Sequence, residues 1–151
     1  MKAKFSSLEL LKFELLQSQL KFIVPEIDEI DVHELFKSYA VNIDFNHNYL
    51  EDEKIQVFIS VEVNNCRKPK HGYSMLAEGM GIFKVSDQES LNEKLLGNLK
   101  YYSTLNMMIN NLRNIMYQTS NLGPMGGYLL PPIDILDLFK KKEKQKGNIE
   151  S

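Results

Sequence analysis

The side chains most able to do chemistry in this chain are three histidines, His33, His47 and His71, and one cysteine, Cys66. A neutral imidazole can move a proton or hold a metal, and a thiolate can attack carbon or bind zinc. Their spacing supports neither role. No histidine stands at metal spacing with another His, a Cys or a carboxylate pair. Each falls in a segment that reads as loop, so solvated loop histidines are the expectation. Cys66 has no base near it in sequence and reads as an inert thiol. Gly79-x-Gly81 lacks the third glycine of a dinucleotide loop, and Gly126-Gly127 leads into Tyr128-Leu129-Leu130-Pro131-Pro132, which is no phosphate-cradling helix start. The expectation is a non-enzymatic protein with no cofactor and no metal.

Two other groups of residues are able to recognise a partner. The five lysines between 140 and 146 could touch an acidic partner or nucleic acid, but basic residues interleaved with aromatics on one surface are missing elsewhere. A solvated terminus is the simpler reading. The apolar residues in connecting segments are less ordinary. Leu35 and Phe36 precede the first clear strand, and Leu122, Met125, Tyr128, Leu129 and Leu130 crowd a Gly/Pro-rich connector. Loops usually run over the surface, so these side chains imply either burial or a hydrophobic groove. Methionines and glycines would let such a groove repack around varied guests.

Periodicity supplies the elements that would hold these residues. From Lys37 to Asn46, Tyr39, Val41, Ile43 and Phe45 alternate with Ser38, Asn42, Asp44 and Asn46, which is the pattern of a half-buried strand. Ile55, Val57, Ile59, Val61 and Val63 repeat that pattern, and the polar run 47–53 between them is of hairpin length. A third strand is expected from Tyr73 to Val85, with glycines 79 and 81 leaving one face flat for something to pack closely. The segment before Pro25 reads as a strand from Glu14 to Val24 with a bulge near Leu16, although Leu8, Leu11, Leu15 and Leu16 also fit a helical stripe. An acidic crossover follows, with Glu26, Asp28, Glu29, Asp31 and Glu34.

A long helix is expected to begin near Ser86-Asp87, where Ser86 and Glu89, like Ser90 and Glu93, have capping-box spacing. Its stripe runs Leu91, Leu95, Leu99, Tyr102, Leu105, Ile109, Leu112 and Met116. A second stripe of Tyr101, Met108 and Ile115 widens the apolar arc beyond what one sheet face needs, which points to a subunit interface. Asn121, Gly123 and Pro124 stop the helix. A short helix opens at Pro131-Pro132 and buries Ile135, Leu136, Leu138 and Phe139 before the lysines. One domain is expected over 1–142, with a flexible lysine-rich tail over 143–151. A net charge of −2 gives no global attraction to nucleic acid or an anionic membrane. A single cysteine excludes an internal disulfide and suits a reducing compartment. Residues 1–20 break their apolar stretches with Lys4, Glu9, Lys12 and Glu14, so neither a signal-peptide core nor a membrane span is expected, and the location expected is cytoplasmic.

The words of the last third are Gly81-Ile82-Phe83, then Leu130-x-Pro132 and Leu138-Phe139 around a long helix. In that order the chain resembles the bacterial export chaperone family SecB, from Phe36 through Lys142. The resemblance implies an α+β fold: a four-stranded antiparallel sheet with a long amphipathic helix and a short C-terminal helix. It implies a homotetramer built as a dimer of dimers, and an ATP-independent holdase that binds unfolded or precursor polypeptides in hydrophobic grooves for export. Phe36, Tyr39, Met125, Tyr128, Leu130, Ile135 and Phe139 are the expected peptide-binding residues. Two departures bear on delivery to the translocation ATPase SecA: the family's acidic tail is lysine-rich here, and an acidic sheet position used toward SecA falls on Leu76. A dedicated partner-binding module, such as a chaperone of a toxin–antitoxin system, is the alternative.

Overall fold

The computed structural model describes residues 1–149. Four antiparallel strands form one sheet in the order β1-β4-β3-β2, with β1 Leu8–Ile23, β2 Val41–Tyr49, β3 Lys54–Val63 and β4 Gly72–Val85. β1 and β2 are therefore the two edges. The chain crosses from one edge to the other through the acidic segment, whose short helix α1 (Val32–Lys37) is capped by Asp31, whose carboxylate accepts from Glu34 N–H. The sheet is followed by a single 3₁₀ turn, Gln88–Ser90, and by helices α2 (Glu93–Gly97), α3 (Thr104–Ser120) and α4 (Ile135–Ile149). A π-helical turn, Asn98–Ser103, joins α2 to α3, so residues 93–120 run as one long helix. Helix and sheet content, and the antiparallel pairing, are those of the expected SecB-like α+β fold.

Several boundaries differ from the sequence expectation, each for a local reason. β1 starts at Leu8, not Glu14, because it pairs with β4 from Leu8↔Val85 to Ile23↔Gly72. The shift expected near Leu16 is present between Leu15 and Gln17, and a second one lies between Leu10 and Lys12. Together they let Leu10, Phe13 and Leu20 all pack toward the core from one strand. The long helix does not start at Ser86: the Ser86 hydroxyl donates to the Ser7 carbonyl, and Asn92 is the cap, its side chain accepting from Leu95 N–H at 2.8 Å. Likewise α4 does not open on Pro131-Pro132. It opens after Asp134, which accepts from Asp137 N–H at 3.0 Å. From there α4 runs on to Ile149, past the expected boundary at Lys142; residues 150–151 of the expected tail lie outside the described residues.

The core lies between the sheet and α3. Ile55, Val57, Ile59, Val61 and Val63 of β3 and Tyr73, Met75, Ala77, Phe83 and Val85 of β4 face Leu105, Met108, Ile109, Leu112 and Met116 of α3, all buried. The flat glycine face serves this contact: a Cβ on Gly81 would lie 2.5 Å from Met108 Sδ, and one on Gly79 3.3 Å from a Leu112 methyl. Met108, one of the three residues of the expected second stripe, is spent on the sheet within one chain, while Tyr101 and Ile115 stay partly open.

Candidate peptide-binding groove

The expected groove residues separate into two groups. Phe36 of α1 packs its ring on Tyr39, Tyr73 and Tyr128, at centroid distances of 5.8, 5.6 and 5.3 Å. Tyr39 donates its hydroxyl to the His71 carbonyl and accepts from Tyr73 N–H, both at 2.9 Å. The Tyr73 hydroxyl accepts from Met125 N–H at 2.8 Å and faces the Ser120 and Gly126 carbonyls. Ser120 Oγ accepts from Tyr128 N–H at 2.7 Å. Arg113 closes the set, donating from Nε to the Leu130 carbonyl at 2.8 Å and from Nη2 to the Pro131 carbonyl at 3.1 Å. The connector's backbone is thus fastened by side chains of β4 and α3, which is what lets its apolar residues turn inward.

This corrects three expectations. Tyr39, Tyr128 and Leu130 are 6%, 2% and 1% exposed and belong to the core rather than to an open groove wall. Burial pushes the phenol of Tyr128 up to about 12 and raises those of Tyr39 and Tyr73. Phe36 and Met125 remain half-buried at the rim of that cluster.

Ile135 and Phe139 lie elsewhere, on α4, which docks beside the free edge of β2. Phe139 packs on Phe45 at 5.0 Å, on Tyr102 of the long helix at 4.9 Å and on His47 at 6.0 Å. Between α4 and β2 runs a trough of about 440 Å³, lined by residues 41–45 on one side and Leu138, Lys141, Lys142 and Gln145 on the other. That volume lies in the range of ligand clefts. Lys142 spans it, 2.5 Å from Asp44 Oδ1 and 5.5 Å from the centre of the Phe45 ring. The Lys142 hydrogen bond holds the Asp44 carboxyl below its ordinary range.

His47 is no loop residue. It sits in β2, half-buried, its Nε2 3.0 Å from Thr104 Oγ1 and its ring 5.9 Å from Phe45 and 5.6 Å from Tyr101. The single Thr104 hydroxyl proton is directed at the Lys100 and Tyr101 carbonyls, so Thr104 accepts from His47 Nε2–H. The π-helical turn is what brings Lys100, Tyr101 and Thr104 to this point. His33 likewise lies in α1 and not in a loop, on its exposed side. Cys66 is exposed, and among the described residues no group of three His, Cys, Asp or Glu side chains is placed to hold a metal ion. Among them, too, no helix is long and apolar enough to cross a membrane.

The trough residues Val41, Ile43 and Phe45 were legible as one face of a strand. That this strand is a sheet edge, with a helix beside it, carries no signal in the pattern.

No family model and no curated protein matches the chain. Among solved structures, it is similar to the Mycobacterium tuberculosis Rv1957 SecB-like chaperone in complex with a ChAD peptide from the Rv1956 HigA1 antitoxin. The TM-score is 0.53 at 13% identity, over 83% of this chain and 90% of that one. The fold is SecB-like. A protein of unknown function from Streptococcus agalactiae is more distantly similar, with a TM-score of 0.42 and 6% identity over 83% of this chain and 97% of that one. The SecB-like fold accounts for the sheet, the long helix and the last helix together; the trough lies between the first and the last of these.

Proposed function

We propose that this chain is an ATP-independent chaperone that holds extended, non-native polypeptide in the trough between β2 and α4. The observation that carries the reading is an edge strand left unpaired beside a trough whose floor is Val41, Ile43 and Phe45 and whose far wall is Leu138 with the stems of Lys141 and Lys142. An extended guest adds to such an edge through main-chain hydrogen bonds, which are independent of sequence, while Val41, Ile43 and Leu138 supply apolar contact and Phe139 backs Phe45 from behind. Phe36 and Met125 extend the surface at the rim of the aromatic cluster. Holding works by mass action, since a bound segment is withdrawn from folding and aggregation. The guests proposed are precursor polypeptides in the cytoplasm, held by a homo-oligomer of these chains. SecA is the proposed receiver only if something other than the family's acidic tail engages it.

The test is suppression of aggregation of a reduced, unfolded substrate by the purified protein. Ile43→Asp, on the trough side of β2, should weaken suppression by about tenfold while far-UV circular dichroism and solution mass stay unchanged. No suppression by the intact protein sinks the reading.

A second reading is favoured by the peptide seated on the M. tuberculosis chaperone. In it, the trough serves one dedicated partner, such as an antitoxin segment. Affinity confined to one peptide, with unrelated unfolded substrates left to aggregate, would select that reading.

A further inference from the structure

The register of β2 and β3 fixes which main-chain groups face the trough. Asn64 N–H donates to the Ala40 carbonyl and Leu50 N–H to the Lys54 carbonyl, both at 2.9 Å. Both pairs continue the register Asn42↔Glu62, Asp44↔Ser60, Asn46↔Phe58 and Asn48↔Gln56. Even-numbered residues of β2 therefore exchange hydrogen bonds with β3. The alternate residues Val41, Ile43, Phe45 and His47 turn their N–H and C=O groups to the open edge.

The middle donor of that row is already taken. Phe45 N–H donates to Asp44 Oδ1 at 2.9 Å, and Lys142 of α4 holds the same oxygen at 2.5 Å. The Asp44 side chain is 74% exposed and that of Lys142 only 24%, so the carboxylate is the arm free to swing. A free strand edge invites pairing with any other chain, and a charged side chain laid across it is one way to prevent that. With Asp44 open to solvent the pair is screened by salt from that side, which lets the carboxylate leave.

We propose that Asp44 and Lys142 form a gate on the β2 edge. Closed, the Asp44 carboxylate stands where a guest strand's carbonyl would accept from Phe45 N–H. Open, it releases that donor and the trough beside it. The proposal rests on the reading of the trough as a polypeptide site, and its test separates the two.

A fluorescein-labelled unstructured peptide with alternating apolar residues is titrated against the intact protein, Asp44→Ala and Asp44→Asn. Asp44→Ala should bind on the order of five- to tenfold more tightly, since no internal acceptor competes for Phe45 N–H. Asp44→Asn keeps an oxygen for that N–H but loses the ion pair, and should fall between. Without peptide, the Phe45 amide should exchange its hydrogen faster in Asp44→Ala, relative to the Ile43 and His47 amides. Equal affinities with unchanged Phe45 exchange overturn the gate. If none of the three proteins binds peptide, the trough reading falls and the exchange measurement alone decides the gate. Should Asp44→Ala fail to fold, a salt series decides it: added salt tightens binding by the intact protein and not by Asp44→Asn, and an equal response overturns the proposal.

Discussion

His47 shows how one side chain can couple stability to pH. Its ring is enclosed by Phe45, Tyr101 and Phe139, from β2, the π-helical turn and α4. Burial lowers its pKa below the ordinary imidazole range; a Tyr101 backbone contact opposes this, and the charge of Lys146 adds to it. In the unfolded chain the ordinary value near 6.5 returns. Between the two values the unfolded state binds more protons, so stability rises with pH across that window. The contribution of neutral His47 is complete above about pH 6.5 and is lost as the pH falls through the lowered value. Urea midpoints at about pH 7.5 and about pH 5.5 should thus separate more for the intact protein than for His47→Gln. Parallel losses in the two proteins would clear His47 of the effect. The sequence hides this residue because Asn46 and Asn48 beside it look like a turn. Extending the alternation of Tyr39, Val41, Ile43 and Phe45 by one step reaches it.

At the scale of elements, the connector between α3 and α4 depends on a few hydrogen bonds from outside itself. Arg113 donates to both the Leu130 and Pro131 carbonyls, and Leu130 is buried directly beneath them. Arg113→Ala would leave the Leu130 carbonyl without its partner, a loss of about 1–3 kcal/mol in a urea titration. A stability within about 0.5 kcal/mol of the intact protein would show that water replaces the guanidinium. Strands were the most legible elements, since period-two alternation names both their existence and their buried face. Helix starts were less so. Ser86 and Ser90 both have capping-box spacing, yet their hydroxyls donate to the Ser7 and Asp87 carbonyls, and Asn92, which the pattern did not single out, is the cap used. The bulge at Leu16 was visible as a change of phase, whereas that at Leu11 lies in a run of leucines where no phase can be read.

Across the whole molecule, apolar surface remains that one chain does not cover. β1 is an edge of 16 residues with Leu11, Leu15 and Leu16 exposed, and Tyr102 and Tyr117 of the long helix are 37% and 43% exposed. Long open edges with apolar side chains are pairing surfaces. Light scattering after gel filtration should therefore give a multiple of the 17.5 kDa chain mass, and a monomer at micromolar concentration would remove the oligomer from the proposal. The candidate site was the least legible part. Of the seven residues expected to line it, Tyr39, Tyr128 and Leu130 are core, because sequence gives a residue's polarity but not which neighbour covers it. The crossover between the two edges has one more consequence, for the route to this fold. β2, β3 and β4 are neighbours in sequence and pair through short turns, but β1 pairs only with β4, across the whole intervening meander. Its loop-closure entropy must be met before any of its contacts stabilise the chain, so β1 is expected to dock after the β2–β4 meander has formed. A chain emerging from the ribosome N-terminus first holds β1, with its leucines, unpaired until β4 has been synthesised.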